Sequence, residues 1–426
     1  MVEPLRGVTA AAARRITRAT PAAGLGVDLA LYGLSALFAL ATAVASTLAP
    51  HRAWGSIAVV GYAAATLCVL VQLRWRRSGV TGRAAVTALA WVATALVPLV
   101  VEAARGQEQE EVTVVEHAGR RLLETGTPYL DRAAIAALPV DERLLGYVPY
   151  QPGMALFGLP RAAAGEAWWT DARVWFALVT AAALGWALAV LAPRASGAAL
   201  VRAAQAATVL PLCALTLAAG GDDLPVLALC LLALAFAAVD RPLAAGVAVG
   251  LAGALKLFAW PVALVLLAFT ATRGRRAVTR CAVGALGLPV AAVLPALAVA
   301  PGAAVENLVR FPLGRGLVGS PAASPFPGHL IAAALPAGRA VATALLVVAG
   351  LVIGWWLLRR PPRDAGSAAT ISAYGLTAAI ALMPATRFGY LLYPVAYLVW
   401  VPALRPARAA GAADSPPVLA RRTQGE

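Results

Sequence analysis

Apolar positions in this chain come in long unbroken runs, without the alternation or the one-sided helical stripe of a soluble core. A helix needs about 20 apolar residues to cross a hydrocarbon core of about 30 Å. By that measure the runs predict membrane-crossing helices at Val27–Leu48, Trp54–Leu73, Ala84–Ala103, Val174–Leu191, Ala199–Ala219 and Leu224–Val239. Further ones follow at Pro242–Leu257, Pro261–Ala271, Val278–Ala300, Ala340–Leu358, Ala368–Met383 and Leu391–Leu404. The expected fold is an all-α polytopic membrane protein, a bundle of about 12 transmembrane helices. Pro261–Ala271 and His329–Leu335 are short enough for a re-entrant segment. One transmembrane domain, residues 27–405, takes nearly the whole chain, between a cytoplasmic segment 1–26 and a polar tail 406–426 expected to be disordered. The first run is too long for a signal-peptide core and reads as an uncleaved span.

A different pattern fills the long loop 102–170. From Val112 to Leu130, Val112, Val115, Ala118, Leu122 and Leu123 repeat at helical spacing, while Arg120, Arg121 and Glu124 fall elsewhere on the wheel. This predicts an amphipathic helix lying on the membrane surface, ending near Gly126 with Pro128 just beyond. A second long loop covers 301–328.

Composition agrees with the runs: 61% of the 426 residues are hydrophobic and 13% charged, and mean hydropathy is +0.78. The net charge of +15 would suit nucleic acid if the arginines shared one face, but they sit in clusters between apolar runs. Topology accounts for them. With Arg14, Arg15 and Arg18 inside, alternate loops receive Arg74, Arg76, Arg77 and Arg83, then Arg194 and Arg202, Arg241, Arg273 to Arg280, Arg359 to Arg363, and finally Arg405 to Arg422. That order predicts an inner (plasma) membrane protein with both termini cytoplasmic and the loops 102–170 and 301–328 outside. Cys68, Cys213, Cys230 and Cys281 lie in or at the end of apolar runs with no paired spacing, so neither a disulfide framework nor a metal site is expected.

Some charges are left over from topology. Lys256, in "GALKLFAWP", is the single lysine among 35 basic residues, inside an apolar run. It either snorkels to the interface or neutralises a phosphate, and a compact ammonium in an arginine-rich chain favours the phosphate. Glu108, Glu110 and Glu111 lead into the amphipathic helix. Such a run commonly solvates a loop, yet it also holds a carboxylate at the membrane surface. Asp222 and Asp223 open a span from the outside, where one is expected to cap the helix and the second to face a cavity shared with the loop glutamates. Arg310, Arg315 and Arg387 lie on the outer side, where positive charge is normally depleted. Together with Lys256 they suit an anionic lipid carrier. Tyr147 and Tyr150, beside Pro149 and Pro152, serve equally well as an interfacial belt or a sugar-stacking surface, and His329 has no companion histidine.

In order along the chain, an outer carboxylate, "LLETGTPY", "YQP", a Gly-Asp helix start and "GVAVGLAGALKLFAWP" resemble the polyprenyl-phosphate-mannose-dependent mannosyltransferases of glycosyltransferase family 87, in the GT-C class. The resemblance runs from about Glu110 to Tyr393. It implies inverting transfer of a sugar, with mannose the first choice, from a polyprenyl-phosphate donor to a glycolipid or polysaccharide acceptor of the cell envelope, with no cofactor. Glu111 stands where the family has its first-loop aspartate and is the first choice of base, with Glu110 and Asp223 behind it. Lys256, Arg387, Arg310 and Arg315 would hold the donor phosphate, and Tyr129, Tyr150, Asp222 and His329 would contact substrate. Two departures stand out: the glutamate itself, and "PATRFGY" in place of the family's late serine-histidine motif. An arabinofuranosyl transferase, a transporter or lipid flippase, and a non-catalytic assembly protein remain as alternatives.

Overall fold

The computed structural model describes residues 21–75 and 79–405. The expected basic flanks Arg14, Arg15, Arg18, Arg76, Arg77, Arg408, Arg421 and Arg422, and the tail from Gly411, lie outside the described residues. The described chain is helical, with a lone parallel bridge between Ala323 and Thr386. In chain order the main helices are α1 (Pro21–Ala45), α2 (Ala49–Arg74), α3 (Val80–Ala104), α4 (Glu110–Thr125), α5 (Ala172–Leu191), α6 (Gly197–Thr208) and α7 (Pro211–Ala219). They continue as α8 (Asp223–Ala238), α9 (Pro242–Leu255), α10 (Trp260–Ala271), α11 (Arg275–Val299), α12 (Gly338–Arg359), α13 (Ala365–Leu382) and α14 (Leu392–Leu404).

Seven of these, α1, α2, α3, α5, α11, α12 and α13, are long and apolar enough to cross a membrane. The chain is a multi-pass membrane protein. An eighth crossing forms if α6 and α7, bent by 43° at the break before Pro211, make one span. The other four expected spans are apolar helices of 10–17 residues. Of these, α8 lies in the interior of the bundle. Every residue from Asp223 to Ala237 of α8 is buried, as befits a helix apolar on all sides, and α8 packs between α5 and α9. At the other extreme, α12 turns most of its valines and leucines outward, the surface a lipid-facing helix requires.

Local chemistry explains the irregular turns. Pro98 has no N–H to offer the carbonyl of Thr94, and α3 widens there into one π-helical turn at Val92–Leu96. The indole Nε1 of Trp54 on α2 donates to the freed oxygen at 2.8 Å. Within the same half of the bundle, Asp28 on α1 is buried and bonded to Arg83 of α3 and Arg202 of α6, with Gln205, Tyr32 and Thr87 completing the network. An aspartate inside a predicted span is the signal that finds it.

Two glycine contacts fix the helices that carry the site. On α9, a Cβ at Gly246 would fall 2.1 Å from the Cys281 carbonyl oxygen, and one at Gly250 the same distance from that of Gly284 on α11. Only glycine permits that approach. The amphipathic helix α4 ends at Gly126 in a left-handed cap, as its sequence predicts. It docks through Gly119 onto Gly158, in the short helical turn Pro152–Gly158.

Candidate active site

Helix α9 stops at Lys256, whose backbone is extended, and the chain then turns through Leu257–Ala259 into α10. The end of α9 is capped from outside the helix. The Gln151 N–H donates to the Leu255 carbonyl at 3.1 Å, and Gly153 lies so near Ala254 that a Cβ would meet its oxygen at 2.6 Å. The "YQP" segment is thus the lid on the lysine helix, and the Tyr129 hydroxyl, donating to the Tyr150 carbonyl at 2.8 Å, holds that segment in place.

Against Lys256 stands the start of α8. The ammonium Nζ donates to Asp222 Oδ2 at 2.9 Å and to Asp223 Oδ1 at 2.6 Å. Neither aspartate makes the side-chain cap expected of one of them; both carboxylates go to the lysine instead. The reason is electrostatic, because a cation buried at a helix junction needs charge partners more than a helix end needs a cap. Tyr393 of α14 adds a hydrogen bond to the same Asp223 oxygen, at 2.7 Å. Three aromatic rings surround the ammonium, with centroids 5.3 Å (Tyr150), 5.5 Å (Tyr390) and 5.9 Å (Phe258) from Nζ.

A second ion pair completes the site. Glu111, in the first turn of α4, is paired with Arg387 from the loop before α14. Burial works against the Arg387 charge, but Glu111 beside it, with Tyr390 and Tyr150, more than compensates and raises its pKa. His51, at the start of α2, bonds Gln109 at 2.9 Å and lies in the field of Glu111 and Arg387, while the Gln109 N–H donates to Ala219. Glu111, Arg387, Asp222, Asp223, Lys256 and Tyr150 therefore meet at one end of the bundle.

The remaining sequence candidates lie elsewhere. Glu110 is exposed on the outer side of α4's first turn. Arg310 is half exposed and paired with Glu306 at 3.3 Å, and the same glutamate takes bonds from Arg132 and Tyr147, each at 2.9 Å. Exposed Arg315 gives its backbone carbonyl to Arg132. His329 sits beside a separate cavity of about 150 Å³, its Nδ1 3.1 Å from the Pro384 carbonyl oxygen.

Sequence reasoning passed over His51, Gln109, Tyr390, Tyr393 and Phe258, each of which reads as an ordinary interfacial residue until the chain is folded. It also passed over a second ionic cluster that anchors α4. Asp171 and Arg173 pair at 2.6 Å at the start of α5; Glu116 accepts from the Ala172 N–H at 3.1 Å and lies 3.0 Å from Arg161. Burial, with Glu108 adding to it, pushes the Glu116 carboxyl up to about 7. Glu108, Glu116 and Asp171 bring carboxylate oxygens within 4.8 Å of one another, and Arg161 and Arg173 already neutralise part of their charge.

The fold is a multi-pass helical bundle with carboxylates, cations and aromatic rings gathered at one end. Residues 147–386, more than half of the chain, match Glycosyltransferase family 87; the chain belongs to that family and is a membrane glycosyltransferase. Asp222, Asp223, Lys256 and Tyr150 fall inside the matched residues, Arg387 immediately after them, and Glu111 well before their start. No curated protein and no solved structure matches the chain.

Proposed function

We propose that the protein moves mannose from a polyprenyl-phosphate donor to a hydroxyl of a cell-envelope glycolipid or polysaccharide, with inversion, on the extracytoplasmic face of the plasma membrane. The observation that carries this reading is the convergence of Glu111, Arg387, Asp222, Asp223 and Lys256 under a ring of aromatic side chains. The choice of side is supported by the arginine-bearing loops, which the sequence assigns to the opposite end of the bundle and the positive-inside rule to the cytoplasm.

In the proposed reaction Glu111 is the base. It takes the acceptor hydroxyl proton as that oxygen attacks the anomeric carbon, while the bond from that carbon to the phosphate oxygen breaks on the opposite face. Arg387, on a partly exposed loop, exchanges Glu111 for the donor phosphate and leaves the carboxylate free. Lys256 stabilises the charge that grows on the leaving phosphate. Tyr150, Tyr390 and Phe258 offer ring faces to the sugar.

The test is transfer by the purified protein in lipid nanodiscs, supplied with synthetic polyprenyl-phosphate mannose or polyprenyl-phosphate arabinofuranose and a membrane-lipid extract as acceptor. Mass spectrometry of the product would show a mannose-sized increment under this proposal. Arabinose transfer would reassign the donor, and no transfer from either would reject the polyprenyl-phosphate class.

A further inference from the structure

The site has a charge problem as a receptor for a phosphodiester. Glu111, Asp222 and Asp223 supply three carboxylates and Lys256 and Arg387 two cations, so with all five ionised the pocket is already negative. A polyprenyl-phosphate sugar carries one further negative charge. Bringing it into a largely buried pocket of the same sign is opposed by both repulsion and desolvation.

The geometry of the aspartate pair indicates where relief comes from. Lys256 and Tyr393 both donate to Oδ1 of Asp223, and Lys256 reaches only Oδ2 of Asp222. One oxygen of each carboxylate, Asp223 Oδ2 and Asp222 Oδ1, has no hydrogen-bond partner among the described residues, and neither is sealed away from solvent. Two adjacent carboxylates sharing one ammonium form an arrangement in which a single proton is readily held. The groups facing the pair are Lys256 at the end of α9, Tyr393 of α14, Tyr150 of the capping segment, and Tyr390 beside Arg387. Arg173 of α5 is committed to Asp171 and offers no further compensation.

We propose that Asp223 takes up a proton when the donor binds, so that its free oxygen becomes a hydrogen-bond donor to the phosphate and the acid that protonates the leaving group. This rests on the polyprenyl-phosphate reading above. Asp222 stays ionised and keeps the ion pair with Lys256. The proton balance closes: the acceptor proton passes to Glu111 and then to water, the Asp223 proton leaves on the phosphate monoester, and Asp223 returns to its ion pair. Asp223 is thereby an acid and Glu111 the base, two carboxylates with opposite tasks in one pocket.

Calorimetric titration of polyprenyl-phosphate mannose into the full-length protein in nanodiscs, without acceptor, at pH 7.5 in two buffers of different ionisation enthalpy, reads the proton directly. Wild type is expected to take up about one proton per donor bound, and its affinity to fall about tenfold per pH unit where that uptake is complete. Asp223→Asn is expected to bind with no uptake and a flat pH profile. Binding by wild type without proton uptake would overturn the inference and leave the transferase reading intact. Uptake that persists in Asp223→Asn would do the same. Absence of any binding to the donor would overturn both.

Discussion

Lys256 changes meaning between sequence and structure. As a lone lysine in an apolar run it asks for a phosphate; in the fold it already has two aspartates and a ring of aromatic side chains. Its ion pairs make it part of a built pocket, in which the proposed donor phosphate would be a further partner. The acidic run Glu108 to Glu111 divides in the same way, into an exposed residue, a base candidate opposite Arg387, and Glu108 in the cluster anchoring α4. Glu116 gives that anchor a measurable signature. Its carboxyl moves from the model-peptide value of 4.5 to about 7 because burial disfavours the charge. Between those values the folded protein holds a proton that the unfolded chain has released, so stability falls as pH rises through this window and levels off above it. Melting of the protein in detergent between pH 5 and 8 should show that decline, and Glu116→Gln should flatten it. An unchanged slope in the variant would place the shift elsewhere.

At the scale of elements, the glycine-alanine helix α9 is the part of the fold on which the site most depends, because its end positions Lys256. Its glycines are spaced for contact with α11, and a methyl at Gly250 would overlap the Gly284 carbonyl. Gly250→Ala is therefore expected to cost about 1–3 kcal/mol, despite alanine's better helix propensity. Gly350→Ala on α12, where nothing lies within 4 Å, should be neutral or mildly stabilising. Thermal melting followed by tryptophan fluorescence compares the two, and equal melting temperatures would contradict the packing account. Elements of this kind were legible in the sequence when the signal was local. Apolar runs marked the long spans, and Gly126 marked the end of α4. The short helices α8, α9, α10 and α14 were legible as apolar segments, but their length falls below a full crossing. Their stability comes from burial among neighbours, which no single run records.

Over the whole molecule, the contacts that make the site join residues far apart in the chain: Glu111 with Arg387, Asp223 with Lys256 and Tyr393, and His51 with Gln109. Sequence places all of them at one end of the bundle through the alternation of arginine-bearing loops. It does not say which will touch. Arg310 and Arg315 satisfy the same topological rule as Arg387, yet the fold holds Arg310 against Glu306 in a separate loop network and leaves Arg315 exposed beside it. Pairing across such separations is set by helix packing, and a single sequence carries only its residue types.

The central claim is that Glu111 removes the acceptor proton during sugar transfer, and it is tested most directly by single-turnover transfer with wild type and Glu111→Gln, both saturated with polyprenyl-phosphate mannose. Replacing a general base by its amide is expected to slow the chemical step by about 10²–10⁴-fold while donor affinity and melting temperature hold within a few-fold and a few degrees. Transfer by Glu111→Gln at the wild-type rate would contradict the account.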